Sequence, residues 1–103
     1  MSDLQLLQVQ GDLRALMNKM QIPGELREGL LRYITLRIET GGFLRAVLEN
    51  NLTEAVKRMS PYDGFELYQL VDFLFRIPSQ CWGSKEKVEA WLKDPEPPVV
   101  SLD

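Results

Sequence analysis

Apolar residues recur along the chain at helical rather than strand spacing. Leu6, Val9, Leu13, Leu16 and Met20 step by three, four, three and four, the a/d pattern of a helix that presents a narrow apolar seam. Ser2 and Gln5 stand as a capping box at its start. Two heptads interrupted by Gly11 do not hold a helix alone, so the seam needs a partner surface, either the chain's own domain or a second copy. Ile22-Pro23-Gly24 breaks this segment, and Leu26, Leu30, Tyr33, Ile34 and Ile38 open a second helix that Thr40-Gly41-Gly42 is expected to end. Phe43 to Leu48 predicts a short third helix, and Asn51 with Glu54 caps a fourth over Leu52 to Met59.

Ser60-Pro61 marks the next boundary, followed by Phe65 to Ile77, the most apolar stretch. Its two apolar faces, Leu67, Tyr68, Val71, Leu74 and Phe75 on one side and Leu70, Phe73 and Ile77 on the other, predict a central helix with neighbours on both sides. Pro78 stops it. Ser84 caps a last helix with Val88, Trp91 and Leu92 as its core residues, and the Pro-rich stretch from Asp94 reads as an extended tail. No alternating run long enough for a strand occurs. The fold expected is all-α: a small bundle of about five to six helices, with a heptad-like N-terminal helix (1–21), a core domain (22–93) and a flexible tail (94–103).

A chain of 103 residues supports one core, and 12 Lys plus Arg against 15 Asp plus Glu lack the basic stripe of a general nucleic-acid or membrane-surface binder. Histidine is absent, which removes the commonest general base and metal ligand. A single cysteine, Cys81, excludes an intramolecular disulfide and fits a reducing compartment, and neither a signal peptide nor a membrane-spanning run is present, so a cytoplasmic location is expected.

Three sets of residues are candidates for function. Gly41 and Gly42, flanked by Arg37 and Arg45, offer backbone N–H groups and positive charge to a small anion such as a signalling nucleotide. Residues 19–58 carry seven cations against five anions, the only mildly positive region of the chain. The loop Cys81, Trp82, Gly83 and Ser84 precedes a helix, where the dipole can activate a thiol, although Trp82 argues for a packed and inert Cys81. The seam residues Leu6, Val9, Leu13, Leu16 and Met20 are the candidate dimer surface. No catalytic set, metal site or cofactor motif is evident.

The segments Leu30-Leu31-Arg32-Tyr33-Ile34, Gly41-Gly42-Phe43-Leu44-Arg45-Ala46-Val47-Leu48-Glu49-Asn50-Asn51-Leu52 and Cys81-Trp82-Gly83-Ser84-Lys85-Glu86-Lys87-Val88 with Trp91-Leu92 resemble those of a group of small tailed-phage and prophage proteins. The likeness spans about residues 22–93, with Asn51 where Asp is usual. It implies a viral origin and a host-cytoplasmic setting, and it transfers no catalytic residue. The function expected is therefore non-enzymatic: an accessory binding protein, homodimeric, that acts on a host protein in host takeover. Capture of a small anionic ligand and DNA-binding regulation are the alternatives.

Overall fold

The computed structural model describes residues 2–59 and 64–94, with backbone alone for 64–66. The Ser60-Pro61 boundary, Asp63 and the tail beyond Asp94 lie outside the described residues. Among the described residues six α-helices follow one another: α1 (Asp3–Lys19), α2 (Gly24–Leu36), α3 (Gly42–Leu48), α4 (Leu52–Lys57), α5 (Gly64–Leu74) and α6 (Lys85–Lys93), with a 3-10 turn at Ser79–Cys81. No strand occurs among the described residues. The protein is the small all-α bundle that the periodicity predicts.

Helix α1 begins with the capping box, in which Gln5 N–H donates to Ser2 Oγ at 3.2 Å and Ser2 N–H to Gln5 Oε1 at 2.8 Å. Gln21, in the left-handed region, turns the chain, and Ile22 tucks into the core as its N–H reaches Met17 O. Arg27 Nε pins this corner by donating to Ile22 O at 2.6 Å. Arg14 pairs with Glu28 and Gln10 with Thr35, which sets α1 and α2 antiparallel.

This hairpin corrects the seam. Leu13 is fully covered inside the chain, Val9, Leu16 and Met20 pack in part against the same core, and Leu6 stays half-exposed. The fully buried positions of α1 are Leu13 and Met17, an i,i+4 pair of which the heptad register includes Leu13 and skips Met17. One continuous core runs from Leu13 to Trp91, so residues 1–21 are not a separate unit.

Helix α2 holds the centre expected of α5. Leu26, Leu30, Leu31, Tyr33, Ile34 and Thr35 are all buried, and Gly29 lets Leu44 of α3 approach to 3.2 Å of where a Cβ would stand. Buried Thr35 satisfies its hydroxyl by donating to Leu31 O at 2.7 Å. Helix α5 instead buries a single broad side through Leu70, Phe73, Leu74 and then Ile77, with Leu67 and Val71 at its margin; Tyr68 and Phe75 face solvent.

The end of α2 also departs from expectation. Arg37, not Gly41 or Gly42, takes the left-handed conformation (φ 56°, ψ 41°), with Arg37 N–H on Tyr33 O and Ile38 N–H on Arg32 O. The helix therefore stops four residues before the glycine pair, and Ile38 is exposed. Arg37 accepts this strain because its side chain is held elsewhere, as the next subsection shows. Replacing it separates the two effects: Arg37→Ala and Arg37→Gly both lose the side chain, but only Ala keeps the backbone penalty. Arg37→Ala is expected to be less stable than Arg37→Gly by about 1 kcal/mol in urea titrations, and equal midpoints would contradict this account.

Candidate functional site

The residues around the glycine pair come from three places: Arg37 at the end of α2, Gly41 as the N-cap of α3, and Arg45 in its last turn. Arg37 stacks its guanidinium 4.0 Å from the Trp91 ring, donates from Nη1 to Trp91 O at 2.7 Å, and lies 3.5 Å from Asp94. Arg45 is ringed by carboxylates. Its Nη1 donates to both Glu39 oxygens at 2.6 and 2.7 Å, its Nε to Glu49 at 2.5 Å, and its Nη2 stands 3.9 Å from Glu89. The hydrogen bonds that Arg45 donates to Glu39 and Glu49 push its pKa further above its ordinary value.

An anion arriving at Arg45 meets three carboxylates around one cation. Helix α3 is only seven residues long, and a Cβ on Gly42 would come within 2.7 Å of the Arg58 guanidinium. The Arg58 side chain thus lies across Gly42. The expected anion site is corrected accordingly: Arg37 and Arg45 brace α6 and the α2–α3 connection instead of waiting for a ligand.

The Cys81-Trp82-Gly83-Ser84 loop is likewise a brace. Tyr33 Oη donates to Cys81 O at 2.5 Å, Trp91 Nε1 donates to Tyr33 O at 2.8 Å, and Gly83 N–H donates to Leu48 O at 2.7 Å. Tyr33 therefore joins α2 to both the loop and α6. Gly83 has φ 114°, a conformation that glycine adopts without strain, while Ser84 caps α6 through Lys87 N–H. Cys81 is fully buried, its thiol donating to Pro78 O at 3.0 Å, and burial pushes its pKa up to about 12. That is the opposite of an activated nucleophile. Trp82 rests edge-on against Phe75, ring centroids 5.4 Å apart, and its buried Nε1 has no hydrogen-bond partner among the described residues. Among the described residues there is also no cluster of His, Cys, Asp and Glu placed to hold a metal, and no helix long and apolar enough to cross a membrane.

Two concavities stand out among the described residues. One, of about 240 Å³, lies between α1 and α2 among Arg14, Arg27, Glu28 and Met17, where Arg14 is already tied to Glu28 and Arg27 Nε to Ile22 O. The other, of about 60 Å³, is apolar: Ala46 and Val47 of α3, Leu52 and Ala55 of α4, and Leu67 and Val71 of α5 line it, together with Asn50 and Asn51. Small-molecule pockets run from about 300 to about 1,000 Å³, so this groove falls below the size for a nucleotide and suits one anchoring side chain of a larger partner. Beside it, Leu52 is 69% and Val56 51% exposed, four residues apart on one side of α4. These residues were not singled out from sequence. The signal was there: in a helix of only six residues, Leu52 and Val56 form an i,i+4 pair distinct from buried Ala55.

Neither a family model, nor a curated protein, nor a solved structure matches the chain.

Proposed function

We propose that this is a non-enzymatic, phage-type accessory protein that works by binding another protein, and that the α3–α4–α5 groove with Leu52 and Val56 is the binding surface. The observation that carries the reading is the apolar groove itself, too small for a nucleotide and rimmed by two exposed aliphatic side chains. The partner presents an apolar anchor, such as one large side chain on the exposed face of a helix, to fill it. The polar side chains that looked chemically useful are consumed within the fold, as with Arg45 and Arg37, and this supports a role for apolar surface. The likeness of residues 22–93 to small phage proteins supports a host protein as the partner and the host cytoplasm as the setting.

The test is a comparison of the full chain with a Leu52→Glu/Val56→Glu double variant. Both positions are exposed, so stability is expected to change by no more than about 0.5 kcal/mol per site. Tagged proteins incubated with bacterial cytosol and read by quantitative mass spectrometry should differ in one bound protein, retained by the native chain and lost from the folded variant. Identical bound sets would end the proposal.

A further inference from the structure

The solvent side of α1 carries a second apolar stripe, opposite the one spent on the core. Leu4, Leu7, Gly11, Ala15 and Asn18 recur at steps of three, four, four and three, and all are exposed, Leu4 by 79% and Leu7 by 65%. No charged residue interrupts the stripe, and among the described residues nothing outside the helix's own backbone lies within 4 Å of a Cβ built on Gly11. Its composition is lopsided: the two large side chains stand in the first half of the helix and the two smallest in the second.

We infer that this face pairs α1 with α1 of a second copy of the chain, antiparallel. That arrangement alone sets large against small. With the two helices crossing near residue 9, Leu7 drops onto the partner's Gly11 and Leu4 onto the partner's Ala15, and the two-fold axis repeats both contacts. The flanking charges agree. Asp3 and Arg14 lie on the same flank of the stripe, and antiparallel pairing brings like flanks together, so Asp3 of one copy comes beside the partner's Arg14 at both ends, as a second carboxylate on a guanidinium that stays 56% exposed while it holds Glu28 of its own chain. Parallel pairing would set Leu4 against the partner's Leu4 and leave a hollow at Gly11. Antiparallel helix dipoles add to the preference. One helix pair buries less than the ~1,600 Å² of a standard interface, so the dimer is sought at micromolar and higher concentrations. The seam expected from the heptad pattern is covered by α2, so self-association uses the other side of the same helix.

The experiment is sedimentation equilibrium of the full chain from about 10 to about 500 µM, a span that brackets a micromolar constant. A monomer–dimer equilibrium is expected, with Leu4→Glu/Leu7→Glu monomeric throughout. Gly11→Glu supplies a readout that a folding defect cannot imitate. The position is open within the monomer and glycine is a poor helix former, so the variant should melt higher than the native chain while its dimer constant weakens at least tenfold. For orientation, Leu7→Cys mixed with Gly11→Cys should oxidise to the mixed disulfide in preference to either self-linked product. A chain that stays monomeric, a dimer indifferent to Leu4→Glu/Leu7→Glu, faster self-linking of Leu7→Cys, or occupation of this face by a different protein alone would each overturn the inference.

Discussion

Trp91→Ala is expected to lower the unfolding free energy by about 3–5 kcal/mol, a large share of the ~5–15 kcal/mol that a domain of this size has in total. The ring is buried at the junction of α2 and α6, 6.5 Å from the Tyr33 ring and under the Arg37 guanidinium. Truncation removes its packing, its indole N–H on Tyr33 O and the surface on which Arg37 stacks, and it leaves a hole that two helices must close over. Trp91→Phe keeps much of the volume but loses the hydrogen bond, and should cost about 1–2 kcal/mol. The same tyrosine donates to Cys81 O, so Tyr33→Phe and Trp91→Phe should not add: urea titrations of the double variant should depart from additivity by more than about 0.5 kcal/mol. A Trp91→Ala midpoint close to the native one would show that α6 is not held in this way.

The dependence on a contact between residues far apart in sequence also explains what was and was not legible beforehand. Features set within four residues were readable: the capping box at Ser2, and the caps at Asn51 and Ser84. The helical class followed from periodicity. The end of α2 was not readable, because Gly41-Gly42 is the stronger local stop signal and Arg37 prevails only through Trp91 and Asp94, more than 50 residues away. The faces of α5 misled for a related reason. Tyr68 and Phe75 fit an apolar pattern, but Phe75 packs edge-on against Trp82 at the surface rather than in the core. For the site, composition drew attention to arginines beside glycines; spacing shows Glu49 four residues from Arg45, but no spacing rule reveals that Glu39 and Glu89 converge on the same guanidinium. The exposed pair on α4 was only half legible: Leu52 and Val56 stand four residues apart, but spacing alone does not say which side of a six-residue helix faces the core.

The clasp at Cys81 makes stability fall steeply at alkaline pH. The Cys81 thiol, ordinarily ionising near 9.0, is pushed up to about 12 by burial, and the Tyr33 phenol is raised above its ordinary 10.0, again chiefly by burial. Both groups are neutral when protonated, so the folded chain keeps protons that the unfolded chain has released. Their contribution is complete below about pH 9 and is lost as pH climbs toward the folded-state values. Each group contributes a slope of about 1.4 kcal/mol per pH unit, Cys81 from about pH 9 and Tyr33 from about pH 10, for a loss on the order of 4 kcal/mol by pH 11. Ionised Tyr33 cannot donate to Cys81 O, so the proton that leaves is the one that joins α2 to the loop. The two variants divide the profile. Cys81→Ala should start lower but hold level until about pH 10, whereas Tyr33→Phe should begin to fall near pH 9 and lose about half the slope above pH 10. Chemical denaturation across pH 7 to about 11 reads all three curves, and a native chain whose stability is flat over that range would mean that neither group is buried as a neutral acid.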